Sequence, residues 1–269
     1  MRRILARLAL LAAGALASLS AHAHRPWLLP SATLAEGPAP VVSIDAAISE
    51  DLFEFDAFPL ALDTLRVTAP DGSIVAPDAR VEGKRRLSFD VQLTQKGTFR
   101  IAGLTDVAVA SWQVGGQTKR WRGPPAALAT ALPADAHDLQ VTRQLARAET
   151  FVTHETPGAL AAAISGDGVE LQPLTNPTDL SVGDTSRFRV LLDGKPYPDA
   201  DVTLVRGGNR YRYTLGELAL KTDAAGEFGV AWPEAGRWWM GISHGGREPG
   251  AAAPARRASY SATFEVLPP

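Results

Sequence analysis

Five histidines are the residues in this chain best suited to bind a metal ion: His22, His24, His137, His154 and His244. Imidazole is the commonest protein ligand for transition metals, and its charge changes near neutral pH. There is no cysteine, so thiolate sites, cysteine nucleophiles and disulfides are all excluded. Nitrogen and oxygen ligands without sulfur suit Cu(II), Ni(II) or Zn(II). His24 follows Ala21-His22-Ala23, a small-x-small cleavage signal. Cleavage after Ala23 makes His24 the first residue, and its α-amine and imidazole then close a chelate ring on one metal ion. His244 opens a Gly-rich segment after an aromatic strand, and His154 ends a strand beside Glu155. His24, His244 and His154 are therefore the candidate metal ligands, with His24 and His244 the leading pair. The competing reading of His244 is a hydrogen-bonded loop histidine, and His137 lies in a polar loop as a solvated residue. Cleavage after Ala21 would instead leave His22-Ala23-His24, in which an amine, two amides and a third-position imidazole give four nitrogens in a plane.

The segment before these residues reads as a secretory signal peptide over residues 1–23. Arg2, Arg3 and Arg7 precede an apolar run from Leu8 to Leu19, which is too short to span a bilayer as a mature helix. An uncleaved anchor is the alternative. Export places the chain in the periplasm. Loss of the three arginines takes the net charge from −2 to −5, which speaks against nucleic acid as a partner. No other stretch approaches membrane-spanning length.

The elements that must position the histidines are strands. Val41–Ile48 is rich in β-branched residues, and Leu87-Ser-Phe-Asp-Val-Gln-Leu93 alternates strictly. Pro70-Asp71-Gly72 and Gly115-Gly116 are turn sequences. Residues 122–138 read as a loop with one helical turn. The Gly/Ala/Pro-rich stretch 155–168 marks a domain boundary, giving an N-terminal β-sandwich over 24–160 and a C-terminal one over 161–269. In the second half, strands recur at short spacing with turn signals between them, as in a Greek-key sandwich. The expected fold is all-β: two immunoglobulin-like antiparallel β-sandwich domains after the signal peptide. Residues 245–258 read as a long polar loop, a feature that is usually functional or disordered.

Aromatic and basic residues form a second constellation. Trp112, Trp121, Trp232, Trp238, Trp239, Tyr211 and Tyr213 lie among Arg120, Arg122, Arg210, Arg212 and Arg237. On a strand, Arg210-Tyr-Arg-Tyr213 would put both arginines on one face and both tyrosines on the other. Exposed Trp and Arg are typical interface anchors, whereas core Trp with surface Arg is the structural alternative. Arg247, Arg256 and Arg257 offer positive charge to an anionic ligand such as a metal–siderophore complex. No nucleophile elbow or phosphate loop is present. The acids of Asp51-Leu-Phe-Glu-Phe-Asp56 lack the pattern of a calcium loop.

Several stretches together resemble the DUF4198 family. They are Glu170-Leu-Gln-Pro173, Asn176-Pro177, Leu180-x-x-Gly183-Asp184, Val190-Leu-Leu-Asp-Gly-Lys-Pro196, Thr222-Asp223-x-x-Gly226-Glu-Phe228 and Gly236-Arg-Trp-Trp239. His24-Arg-Pro-Trp-Leu-Leu-Pro-Ser31 is similar to the family's opening after the signal peptide. The resemblance covers nearly the whole mature chain. It implies a periplasmic protein with immunoglobulin-like domains, related to nickel-uptake components of the NikM type. The subset most similar to this chain accompanies TonB-dependent outer-membrane receptors. The family's His-rich middle is missing here, so high-capacity nickel binding is not implied. The expected role is that of a non-enzymatic accessory in transition-metal acquisition. It would hold one nickel, copper or zinc ion or a metal complex, or support a TonB-dependent receptor or other uptake component. The alternatives are a metal-free envelope interaction module and a copper-brace oxidase-type enzyme.

Overall fold

The structure, a computed structural model, describes residues 24–62, 64–158, 160, 165–245 and 256–269. The expected signal peptide and most of the loop expected over 245–258 lie outside the described residues. The first half comprises β1 (Arg25–Pro30), β2 (Leu34–Ala35), β3 (Val41–Ser49), β4 (Phe58–Pro59), β5 (Thr64–Thr68) and β6 (Ile74–Val75). It continues with β7 (Asp78–Glu82), β8 (Leu87–Gln92), β9 (Gly97–Val114), β10 (Gln117–Gly123), a 3₁₀ turn, the one-turn helix α1 (Leu128–Ala131) and β11 (His137–His154). The second half holds β12 (Val169–Pro173), β13 (Thr185–Leu192), β14 (Lys195–Pro196) and β15 (Asp201–Arg206). β16 (Leu218–Lys221), β17 (Glu227–Ala231), β18 (Gly236–His244) and β19 (Arg256–Val266) complete it. Among the described residues no helix is long and apolar enough to cross a membrane.

These strands form three sheets stacked as two sandwiches. A ten-stranded sheet runs β16-β15-β18-β19-β11-β9-β5-β6, with β10 on β9 and β2 on β11. A sheet of order β1-β3-β8-β7, with β4 on β3, covers one face of its first half. The β12-β13-β14 sheet, with β17 on β13, covers the opposite face of its second half. Strand alternation explains the stagger. Ala148 and Val152 of β11 point into the first core with Phe99, Ile101, Phe89 and Val91. Phe151 points the other way, into a core with Phe188, Trp232, Trp238, Tyr260 and Phe264. The two cores thus lie on opposite faces of β11.

The sandwiches meet in two ways. β11 pairs with β19 in parallel, from Arg143↔Arg256 to Thr150↔Thr263, whereas most other pairs are antiparallel. A smaller apolar cluster of Trp27, Ala47, Leu52 and Val205 joins the opposite edge, with Phe53, Phe55 and Trp239 packed against it. There Asn209 takes the Leu52 amide on its Oδ1 at 2.8 Å and donates from Nδ2 to Asp51 at 3.1 Å.

Two expectations need correction. The sequence suggests one strand starting at 97–101 and another over 107–114, but they are one continuous strand, β9. Gly103 at its middle lies under Leu62, where a Cβ would come within 2.3 Å of a methyl carbon, so a residue that looks like a strand breaker is required by close packing. Residues 210–213 are not a strand. Gly208 adopts a left-handed conformation (φ 73°) and opens a 3₁₀ turn over Asn209–Tyr211. Tyr211 and Tyr213 are both fully exposed as a result, and the two-faced arrangement of Arg and Tyr does not form.

Candidate functional site

His24 precedes β1, and the β1–β3 register fixes its neighbour. Arg25 pairs with Ser49, so the residues one step outward, His24 and Glu50, come side by side. His24 Nε2 lies 3.9 Å from a Glu50 carboxylate oxygen, and both side chains are about half exposed (47% and 54%). The imidazole also leans on Phe58, with ring centroids 6.1 Å apart. His24 stands at the rim of a groove of about 480 Å³ that Asp201, Glu217, Trp239, Gly241 and Ser243 help to line. The Trp239 indole is fixed there by its N–H, which donates to the Pro26 carbonyl at 2.9 Å. The Arg25 guanidinium sits 5.5 Å from the indole ring and pairs with Glu217 at 3.1 Å. Gly241 has no room for a side chain, because a Cβ would meet the indole at 2.0 Å.

His244 ends β18 with the parity of Trp238, Met240 and Ile242, which face the second core. Trp239, Gly241 and Ser243 face the groove on the other side. His24 and His244 are therefore on opposite faces of β18, and the structure does not bring the leading pair together. His244 instead meets Tyr197, with Nδ1 3.0 Å from the hydroxyl and the rings edge to face at 5.4 Å. Burial raises the Tyr197 hydroxyl pKa, with a further push from Asp201.

His154 is buried at the end of β11. Its Nδ1 lies 3.0 Å from the Gln95 carbonyl and its Nε2 2.8 Å from the Gly37 carbonyl. With an oxygen in front of each nitrogen, the ring pins two loops to the strand end and turns no lone pair toward an open site. His137 is exposed, 3.3 Å from the Asp135 carbonyl. Among the described residues no three His, Asp or Glu side chains converge on one point.

The tryptophans are largely structural. Trp232 and Trp238 pack edge to face at 5.6 Å in the second core, and Trp112 is buried in the first half. Arg256 anchors a charge ladder beside His244: it pairs with Asp193 and Asp167, and Arg143 grips Asp106 through two hydrogen bonds of 2.9 and 2.7 Å. The hydrogen-bonded Arg256 holds the Asp193 carboxyl below its ordinary 3.8, and Arg143 does the same for Asp106. A carboxyl whose folded value is depressed stabilises the fold above its ordinary value, and that contribution is lost as pH falls through the folded one. The melting-temperature gap between wild type and Arg256→Gln should therefore be full at pH 6 and shrink progressively below about pH 4.

A buried charge cluster had not been anticipated. Arg147 meets Glu149 at 3.3 Å and Glu170 at 2.9 Å, and Tyr260 donates to Glu149 at 2.8 Å. Arg100 lies 3.9 Å from Glu149 and donates to the Leu171 carbonyl at 2.9 Å. Glu170 also takes the Ser165 and Gly166 amides at 2.7 and 2.9 Å. Burial, with the neighbouring Glu149 charge, pushes the Tyr260 hydroxyl well above its usual range. The sequence carried one signal for this cluster: charges at Arg147 and Glu149, two residues apart and so on one face of a strand whose other residues go inward.

Residues 21–246 match the model of DUF4198, a domain of unknown function. The chain belongs to the DUF4198 family. No curated protein matches this DUF4198 chain. Among solved structures it is similar to an ICAM-5 D1–D4 ectodomain fragment, at 13% identity and a TM-score of 0.23, covering 91% of this chain and 51% of that one. A DUF4785 family protein from Legionella pneumophila subsp. pneumophila str. Philadelphia 1 gives 8% identity, a TM-score of 0.23 and coverage of 80% and 50%. The D0–D1 domain of intimin gives 13%, 0.23, and 88% and 97%. The chain spans about half the length of the first two.

Proposed function

We propose that this protein is an exported, periplasmic accessory in transition-metal acquisition, and that the head of the mature chain at His24 receives the metal. The observation that carries this reading is the exposed pairing of His24 with Glu50 at the rim of the Trp239 groove. Removal of residues 1–23 frees the His24 α-amine, which adds a nitrogen beside the imidazole. Metal bonds to nitrogen and oxygen of about 2.0–2.2 Å each let one ion span a nitrogen–oxygen gap of up to about 4.2 Å. The 3.9 Å between His24 and Glu50 falls within that reach. The amine, the imidazole and the carboxylate would leave coordination positions open, which suits a cargo ion that is accepted and handed on to an uptake component such as a TonB-dependent receptor. A copper brace for redox chemistry needs a second imidazole beside the first. The described histidines stand elsewhere, so delivery is favoured over oxidation.

The test is intact mass of the exported protein followed by titration with Cu(II), Ni(II) and Zn(II). The expected result is a chain beginning at His24 that binds one equivalent of at least one metal. Binding should weaken by at least about tenfold in His24→Ala, less in Glu50→Gln, and not at all in His244→Ala. A different N-terminus, or no stoichiometric binding of any of the three metals, overturns the proposal. A second reading, a metal-free interaction module, draws on the exposed Tyr211 and Tyr213 beside Arg210, and it stands if no metal binds.

A further inference from the structure

The stagger of the two sandwiches leaves a step on the ten-stranded sheet. The β12-β13-β14 sheet packs on β19 and β11 and meets β9 at Arg100, whose guanidinium donates to the Leu171 carbonyl of β12. Three arginines from three neighbouring strands line this step: Arg66 of β5, Arg100 of β9 and Arg147 of β11. The register puts them on one face, since Arg66 pairs with Ala102, Thr68 with Arg100, and Arg147 with Leu104. They enclose a cleft of about 170 Å³ with Thr64, Thr68, Ser165, Ala102 and Leu104.

The outer arginine of this cleft differs from the inner two. Arg100 and Arg147 engage the buried carboxylates Glu149 and Glu170. Arg66 is exposed and makes no ion pair among the described residues. Arg147 is buried, and its Nε has no hydrogen-bond acceptor among the described residues. The charge and planar donor fork of Arg66, with the Thr64 and Thr68 hydroxyls nearby, are what a single carboxylate requires. Ala102 and Leu104 supply an apolar floor that suits a carbon chain better than a fully hydrated oxyanion. A cavity of about 150 Å³ admits a benzene-sized molecule, so this one fits an acid of roughly four to six carbons.

We propose that this inter-sandwich cleft binds the carboxylate of a small organic acid, with Arg66 as the outer clamp. This site is separate from the His24 groove, and its test does not depend on metal binding. Butyrate, butyramide and inorganic phosphate are titrated calorimetrically into the mature protein. Butyrate should bind with one-to-one stoichiometry at concentrations up to about 10 mM, with phosphate weaker and butyramide silent. Arg66→Gln, an exposed change that should leave the melting temperature unaltered, should weaken butyrate by at least about tenfold, while Arg80→Gln on β7 leaves it unchanged. Absence of saturable butyrate binding overturns the proposal. So does equal binding of butyramide, tighter binding of phosphate, or an Arg66→Gln affinity equal to wild type.

Discussion

Replacing Arg147 with methionine is expected to destabilise the protein by about 3–5 kcal/mol, because it strands two buried carboxylates. Glu149 and Glu170 are each about 1% exposed. Arg147 bridges them and also donates to the Ser165 hydroxyl at 2.5 Å. Arg100 is too far from Glu149, at 3.9 Å, to replace that hydrogen bonding. Removing one partner of a buried pair costs far more than the pair itself contributes, since the remaining carboxylates have lost water and keep only neutral hydrogen bonds and, at Glu149, a guanidinium 3.9 Å away. The double change Arg147→Met with Glu149→Gln should therefore be less damaging than the single one, even though it removes more native contacts. Urea unfolding measures both, with an unchanged denaturant slope as the check that the unfolded state is the same. A single-variant loss below about 1 kcal/mol, or a double variant worse than the single, would show that the cluster is not a closed ion network.

The strands of this fold were legible wherever one face is buried and the other wet. Leu87, Phe89 and Val91 of β8 are fully buried between the half-exposed Ser88 and Asp90, which is the alternation visible in the sequence. The turns were legible where the backbone demands a residue type. Gly72 has φ 87°, and Gly115 and Gly116 have φ 55° and 71°. What could not be read depends on residues distant in sequence. The parallel pairing of β11 with β19 joins residues more than a hundred positions apart and leaves no local mark. β1 escaped notice because Pro26 and Pro30 speak against a strand, yet it forms the edge of its sheet, where the missing amide hydrogens are tolerated.

The same distinction applies to the histidines. Residue type and local sequence made His24 and His244 the leading candidates, with His154 behind them. Only the register and parity of β1, β11 and β18 separate a rim residue from a buried pin and from a ring held by a tyrosine. The Arg66–Arg100–Arg147 step was equally hidden, since its three members come from strands whose order in the sheet no periodicity reveals.

Trp27→Ala carries the other large expected effect, a loss of about 3–5 kcal/mol. In the sequence Trp27 is part of the opening that resembles the family's, three residues after the candidate ligand His24. In the structure it is 1% exposed and packs against Phe53 and Phe55 at 5.7 and 5.6 Å. Its indole N–H donates to the Ser49 hydroxyl at 2.8 Å, and Ser49 in turn donates to the Asp51 carbonyl at 2.7 Å. The same cluster includes Val205 and Trp239, so truncation opens a cavity where the two sandwiches meet, not only beneath β1. Trp27→Phe keeps most of the apolar surface and loses only the donor, so a smaller cost of about 1–2 kcal/mol is expected. Metal titration of the same preparations separates anchoring from chemistry. Trp27 offers no ligand atom, so any fall in affinity in Trp27→Ala that Trp27→Phe restores must come from loosening β1 and with it the spacing of His24 from Glu50. Equal metal affinity in the alanine variant would mean that the head of the chain binds without the strand behind it.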